Sequence, residues 1–167
     1  MVQSSGFLKN KNILAVDDEQ DILETIQEIL MDAQVDVAKD YDTASDKILK
    51  TQYDLAILDI MGVNGIKLLE ECVERKIPAI MLTANAMNPN TLAESIKNGA
   101  ISYLSKEHLS DLDSLIDDLL GAKKEGKSTW HLLFDKLGSY FDKRFGKNWQ
   151  NDDKEFWAKF DKKTYHV

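Results

Sequence analysis

Five short apolar segments alternate with segments of helical periodicity, and this alternation constrains the fold of the 167-residue chain more than any other feature. The apolar segments are "NILAVDD", "VDVA", "DLAILD", "PAIMLTA" and "ISYLSK". Near-continuous apolar strands separated by helices are typical of a parallel sheet that is buried on both faces. The sequence therefore predicts a doubly wound α/β fold with five parallel strands.

The segments between these strands place apolar residues on one face of each predicted helix. The predicted apolar faces are Ile22, Leu23, Ile26, Ile29 and Leu30; Ala44, Ile48 and Leu49; Ile66, Leu69, Cys72 and Val73; and Leu112, Leu115, Ile116, Leu119 and Leu120. A weaker helix is predicted to begin at Pro89 and end at Gly99, as the positional preferences of these two residues favour. The single Cys72 is interpreted as a small core thiol.

Charge and aromatic content divide the chain into two units. Residues 1–120 carry 10 Lys and Arg against 22 Asp and Glu, whereas residues 121–167 carry 11 against 7. Ten of the 14 aromatic residues follow residue 128. We therefore predict an N-terminal extension (1–10), an α/β domain (11–121), a linker (122–128) and an aromatic-rich helical extension (129–167).

Polar side chains follow four of the five predicted strands where those strands end. They are Asp17 and Asp18, Asp59, Thr83 and Lys106. Ligands of open α/β sheets bind beyond the carboxyl ends of the strands, so we expect these five side chains to approach one edge. Taken singly, each has an ordinary structural interpretation, such as a turn-forming Asp or a surface Lys. Their joint placement is what those interpretations leave unexplained.

Three carboxylates at one edge would repel one another unless a cation lay between them. Oxygen ligands suit Mg²⁺, which keeps water positions for a phosphoryl group. A carboxylate beside such an ion can act as a nucleophile towards phosphorus. A lysine and a hydroxyl group within reach would stabilise the added phosphoryl oxygens. The predicted cofactor is therefore Mg²⁺.

The motifs "VDDE", "LDIM", "LTA" and "YLSK" resemble those of the receiver domain of bacterial two-component response regulators, a CheY-like domain. The resemblance covers about residues 11–121. It implies a flavodoxin-like sheet of order 2-1-3-4-5. It also implies that the chain is a cytoplasmic phosphoprotein of phosphorelay signal transduction and not an enzyme, apart from slow autodephosphorylation. The lack of an apolar secretory segment at the N-terminus agrees with a cytoplasmic location.

The resemblance also implies a role for each matched residue. Asp59 would accept the phosphoryl group, with Thr83 donating its hydroxyl and Lys106 its ammonium to that group. Asp18 would bind Mg²⁺ directly and Asp17 mostly through water. The remaining implied assignments are the Met61 backbone carbonyl as a further Mg²⁺ ligand, Tyr103 as the aromatic switch, and Ala84 and Asn85 as positions that tune hydrolysis.

Two departures from the family pattern affect the rim of this site. The loop after Asp59 reaches Gly65 two residues early and lacks the usual Met-Pro pair. Lys106 is followed by Glu107 where the family usually has Pro. A cis peptide is not expected there, because without proline it costs about 3 kcal/mol.

The extension after residue 128 has its own predicted helices. Apolar residues recur at helical spacing from Trp130 to Phe145, and a shorter helix is predicted over 152–163. Such a pair is too small to bury much surface alone, so it is expected to pack on the α/β domain, on a second copy or on a partner. Two helices with alternating charges make a DNA-binding tail the weaker interpretation.

The implied partners are a sensor histidine kinase or phosphotransfer protein and an unidentified downstream protein. A homodimer through the C-terminal helices is also expected to be possible, whereas nucleic acid and membrane insertion are not expected. The main alternative function is a scaffold that keeps the receiver fold without phosphorylation. A third alternative, an aspartyl-phosphate hydrolase, would usually need an acid two residues after the nucleophile, where this chain has Met61.

Overall fold

A computed structural model describes residues 8–84 and 89–125 of the chain. The strands are β1 (Asn12–Val16), β2 (Gln34–Ala38), β3 (Leu55–Asp59), β4 (Ala79–Thr83) and β5 (Ser102–Ser105). The α-helices are α1 (Gln20–Ile29), α2 (Tyr41–Lys50), α3 (Gly65–Glu74), α4 (Pro89–Lys97) and α5 (Leu112–Lys124). A 3₁₀ helix, Lys106–Asp111, joins β5 to α5.

The five strands form one parallel sheet of order β2-β1-β3-β4-β5, which confirms the predicted fold class. Every residue of β3 and β4 is buried, as expected for central strands with helices on both faces. Helices α2, α3 and α4 cover one face, and α1 and α5 cover the other. Two apolar clusters therefore hold the sheet between two helical layers, and they bury the alternate side chains of each central strand.

The boundaries of two helices have local causes. The side chain of Asp40 accepts a hydrogen bond from the Thr43 N–H at 2.8 Å and thereby caps the first turn of α2. Helix α4 begins at Pro89, and the chain turns at Gly99, whose φ of +96° is in the left-handed region. The predicted start and stop of this helix are thus confirmed to within two residues.

Three details differ from the sequence-based expectations. Leu49 is 56% exposed and Val73 is 45% exposed, so both were wrongly assigned to apolar faces. The buried apolar stripe of each helix is therefore narrower than the helical periodicity indicates. Helix α5 continues to Lys124, so residues 122–124 of the expected linker are helical.

The expected N-terminal extension up to residue 7 and the expected C-terminal helices lie outside the described residues. Among the residues that are described, no helix is long and apolar enough to cross a membrane.

Candidate functional site

Two acidic side chains follow β1 at the carboxyl edge of the sheet. The Asp17 N–H donates to the Ala38 carbonyl at 3.1 Å, so the chain keeps its sheet-like course one residue beyond the strand. This course holds the Asp17 carboxylate fully buried, where its Oδ1 accepts the Glu19 N–H at 2.9 Å. Asp18 is exposed. The first strand therefore delivers one buried acid and one acid that faces solvent.

Asp59 is the last residue of β3 and is only 5% exposed. Its Oδ2 accepts a hydrogen bond from the Gly62 N–H at 3.2 Å. In the sheet register Asp59 pairs with Leu82 and Thr83 pairs with Ser105. The parallel register thus brings the ends of β3, β4 and β5 to the same edge as Asp17.

Carboxylate oxygens from Asp17, Asp18 and Asp59 all lie within 4.8 Å of one another. Three acids at this separation repel, and two of them are buried away from the water that would otherwise stabilise their charge. An all-oxygen donor set of this kind fits a hard divalent ion such as Mg²⁺. The residues present are therefore suited to hold the predicted cofactor.

Lys106 supplies the positive charge closest to these acids in the described part of the chain. Its Nζ lies 2.8 Å from Asp17 Oδ2, 3.3 Å from Glu19 Oε2 and 3.4 Å from Asp59 Oδ1. One ammonium thus contacts three carboxylates and leaves the cluster with a net negative charge. A divalent cation would reduce this excess.

The pKa directions follow from this imbalance. Burial raises the pKa of Asp17 above its ordinary value, although hydrogen bonds from Lys106 and the Glu19 N–H oppose the rise. Burial alone would lower the pKa of Lys106, but the Asp17 and Asp59 carboxylates outweigh it and raise that pKa. Lys106 is therefore charged at neutral pH, and Asp17 is an acid whose ionised form the fold disfavours.

The short loop after Asp59 is a tight turn at residues 61–64. Asn64 has φ 55° and ψ 54°, a left-handed conformation that Asn tolerates better than most residues. At Gly65 an added Cβ would lie 2.1 Å from the Asp59 carbonyl oxygen, so only glycine fits. The shortened loop thus closes by bringing its backbone against the end of β3.

The same loop approaches the acids from the other side. A Cβ added to Gly62 would lie 2.5 to 2.7 Å from the Asp18 carboxylate atoms. Met61, the first residue of this turn, is 82% exposed. The role of the Met61 carbonyl as an ion ligand stays a prediction.

Thr83 is buried at the end of β4, and the following Ala84 is exposed. Asn85 lies outside the described residues. Tyr103 is fully buried, and its hydroxyl lies 2.7 Å from the Thr91 Oγ1 on α4. In this structure the aromatic ring at the predicted switch position therefore occupies an inward position and is hydrogen-bonded to α4.

Ser105 and Glu107 flank Lys106 where the family's usual proline is replaced. The Ser105 Oγ accepts the Glu107 N–H at 3.3 Å and caps the 3₁₀ helix that starts at Lys106. There is no cis peptide bond among residues 8–84 and 89–125. The chain thus leaves β5 through a capped helical turn.

The structure brings together Asp17, Asp18, Asp59 and Lys106, and Thr83 ends β4 at the same edge, where it pairs with Ser105. Sequence analysis did not identify Glu19 as a partner of Lys106. The third acid of "VDDE" is the one signal that the sequence offers, but it does not show where that side chain points. The contact of Tyr103 with Thr91 was also missed, because nothing in the spacing of these residues identifies it.

Residues 13–118 match the family model described as the response regulator receiver domain. Among curated proteins, the chain is 36% identical over 101 residues to the two-component response regulator ARR10 of Arabidopsis thaliana, which is 56% of this chain and 18% of that protein. It is 32% identical over 110 residues to the response regulator ArlR of Staphylococcus epidermidis, which is 63% of this chain and 49% of that protein. The chain thus spans less than half the length of these two relatives.

Solved structures with the same architecture include a CheY-like response regulator receiver domain protein from Methanospirillum hungatei. The similarity covers 70% of this chain and 99% of that chain, with 28% identity and a TM-score of 0.58. The receiver domain of the Francisella response regulator 1452 is 26% identical, with a TM-score of 0.60, over 68% of this chain and 99% of that chain.

Proposed function

Because this chain belongs to the response regulator receiver domain family, we propose that it is a phosphoacceptor switch of a two-component signalling system. The observation that carries the proposal is the position of Asp59. Its carboxylate lies at the sheet edge, 5% exposed, between two further acids and the Lys106 ammonium. A carboxylate in such surroundings is rigid, accessible at one side and next to groups that can stabilise added phosphoryl oxygens.

The proposed reaction transfers a phosphoryl group from a phosphohistidine of a partner protein. An Asp59 carboxylate oxygen attacks phosphorus, a P–O bond forms, and the P–N bond to the imidazole breaks. The imidazole ring carries a proton on its other nitrogen, so histidine leaves as a neutral group. The product is an acyl phosphate on Asp59, which water later hydrolyses back to the carboxylate and inorganic phosphate.

The residues around Asp59 have separate proposed roles. Asp18, Asp59 and the Met61 carbonyl would hold Mg²⁺ directly and Asp17 mostly through water, and the ion would supply positive charge against the phosphoryl oxygens. The Lys106 ammonium, 3.4 Å from Asp59 Oδ1, pairs with another of those oxygens. The Gly62 N–H holds Asp59 Oδ2 and so fixes the orientation of the carboxylate.

Phosphorylation would bias a conformational equilibrium of the domain. The Thr83 hydroxyl would donate to a phosphoryl oxygen and thereby change the packing at the end of β4. Tyr103, buried against Thr91 of α4, links β5 to the helix that follows this strand end. We propose that the equilibrium between two arrangements of these residues changes the affinity for a protein partner.

The proposal is tested by incubating the chain with Mg²⁺ and acetyl phosphate and measuring its intact mass. We expect a gain of one phosphoryl group that is lost in Asp59→Asn and in the presence of a chelator. Asp54→Asn is the matched control, because Asp54 is an exposed aspartate just before the opposite end of β3. No gain in the unmodified chain, or the same gain in Asp59→Asn, would sink the assignment and favour the phosphorylation-independent scaffold.

The proposed partners are a histidine kinase or phosphotransfer protein upstream and a protein target downstream. We expect the helices predicted after residue 128 to take part in the output, either by packing on the domain or by forming a homodimer. Light scattering of the full chain with and without acetyl phosphate separates these possibilities, since only dimerisation doubles the mass. Salt-dependent binding to duplex DNA would instead identify a DNA-binding tail.

A further inference from the structure

Lys106 contacts an acid that does not belong to the cluster of converging carboxylates. Its Nζ donates a hydrogen bond to Glu19 Oε2 at 3.3 Å. The Glu19 side chain is 61% exposed, whereas the side chains of Asp17 and Asp59 are 0% and 7% exposed. Of these three acids, Glu19 is therefore the one whose contact with Lys106 costs the least desolvation.

The backbone holds Glu19 at this place. Its N–H donates to Asp17 Oδ1 at 2.9 Å, and its carbonyl accepts the first hydrogen bonds of helix α1 from Ile22 and Leu23. The side chain of an N-cap residue commonly bonds the first turn of its helix when that residue is Asp, Asn, Ser or Thr. In α1, which lies wholly within the described residues, the Glu19 side chain makes no such bond and extends to Lys106 instead.

The same two acids that Lys106 contacts most deeply are those that a divalent cation would need. Asp17 and Asp59 both belong to the group of converging oxygens, and Glu19 does not. A cation bound there would share Asp17 and Asp59 with the ammonium, and its charge would weaken the attraction of both carboxylates for Lys106. Without a further acceptor at the rim, the ammonium would compete for both carboxylates or move into solvent.

We propose that Glu19 is a positioning residue that keeps Lys106 beside the site when Asp17 and Asp59 bind Mg²⁺. The inference rests on the proposed function, because it concerns the same ion and the same lysine. Glu19 offsets the attraction that Lys106 loses when a cation shares the two buried acids. It also leaves the ammonium next to the position of the incoming phosphoryl oxygens.

The test is a double-mutant cycle on Mg²⁺ affinity, measured by calorimetry on the full chain. Glu19→Gln is expected to weaken Mg²⁺ binding about threefold, the size typical of one partly exposed charge pair. In a Lys106→Met background the same change should have a smaller effect, because Glu19 acts through the lysine. Asp21→Asn is the matched control, since Asp21 is an exposed acid in the first turn of the same helix.

The outcomes separate this inference from the proposed function. If Glu19→Gln and Asp21→Asn weaken binding equally, or if the Glu19 effect is unchanged in Lys106→Met, Glu19 contributes only general charge and the inference is wrong. If the unmodified chain does not bind Mg²⁺, both proposals fail. If the coupling is present but Asp59 is not phosphorylated, the phosphoacceptor proposal fails while the role of Glu19 stands.

Discussion

Two lysine–aspartate ion pairs of equal length lie in different regions of this domain. Lys106 and Asp17 are 2.8 Å apart at the carboxyl edge of the sheet, and Lys47 and Asp36 are also 2.8 Å apart where α2 passes β2. The Lys106 and Asp17 side chains are 11% and 0% exposed, whereas the Lys47 and Asp36 side chains are 31% and 43% exposed. Although the distances are equal, the pKa of the aspartate is shifted in opposite directions in the two regions.

Partial burial would raise the pKa of Asp36, but hydrogen bonds from Lys47 and Tyr53 outweigh it and hold that pKa below its ordinary value. Burial raises the pKa of Asp17, and the shared Lys106 does not fully compensate. The difference lies in the number of donors for each acid. Asp36 receives Lys47, the Tyr53 hydroxyl and its neighbour's N–H, whereas Lys106 is divided among three acids. Three donors balance the charge of Asp36, whereas one ammonium has to balance three carboxylates at the site.

Removing the lysine from each pair should give the largest difference in stability loss between the two regions. Lys106→Met leaves buried acids without a cation and should lower the free energy of unfolding by about 2 kcal/mol at neutral pH without Mg²⁺. Lys47→Met should lower it by about 0.5 kcal/mol, because that pair is partly exposed and screened. Urea denaturation of both variants measures the difference, and equal losses would contradict the comparison.

Neutralising the aspartate should change the free energy of unfolding in opposite directions in the two regions. Asp17→Asn should raise the free energy of unfolding without Mg²⁺, since burial raises the Asp17 pKa and the fold disfavours the ionised form. Asp36→Asn should lower it by about 0.5 kcal/mol, after allowance for solvent exposure. Thermal or urea unfolding in a chelating buffer is the measurement, and two changes of the same sign would show that the regions do not differ.

The pH dependence of these two changes follows from the pKa directions. Because the folded-state pKa of Asp17 is raised, its penalty is present above that pKa and disappears as the pH falls through it. Because the folded-state pKa of Asp36 is lowered, its contribution is present above the ordinary value of 3.8 and is lost as the pH falls through the folded-state pKa. Both variants should therefore approach the unmodified chain in acid, from opposite sides.

The last prediction concerns Tyr53, whose hydroxyl donates to Asp36 Oδ2 at 2.6 Å. Burial and the neighbouring Asp36 raise the pKa of Tyr53 to about 12. Tyr53→Phe should lower the free energy of unfolding by about 0.5 kcal/mol and move the Asp36 pKa back towards its ordinary value. Nuclear magnetic resonance titration of the Asp36 carboxyl checks this shift. A change in phosphoryl acceptance would mean that the two regions are coupled.

Most of the fold could be predicted from the sequence because its strands are unusually apolar. "LAILD" and "AIMLT" form wholly buried strands, and the period of the helices identifies which side chains face them. The exposure of Leu49 and Val73 could not be predicted, because helical periodicity does not show how wide the buried stripe of each helix is. The 3₁₀ helix after β5 was also missed, since its cap depends on the conformation at Ser105 and Glu107.

The meeting of Asp17, Asp59 and Lys106 could be predicted from strand ends, because parallel strands end at one edge. The contact between Glu19 and Lys106 could not, because Glu19 lies three residues beyond the end of β1 and the positions of the strand ends do not show where its side chain points. The sequence shows that the loop after Asp59 is short. The left-handed Asn64 and the close approach at Gly65 could not be predicted, because they depend on how the folded backbone closes the loop. The chemical roles of these residues stay predictions.

The central claim is that the clustered carboxylates at the sheet edge make Asp59 the acceptor of a phosphoryl group. Borohydride reduces an aspartyl phosphate to homoserine, so peptide mass spectrometry after treatment with Mg²⁺, acetyl phosphate and borohydride locates the acceptor directly. The account predicts homoserine at position 59, and none at position 36 or 54. Homoserine at position 17 or 18 instead, or no homoserine at all, would contradict it.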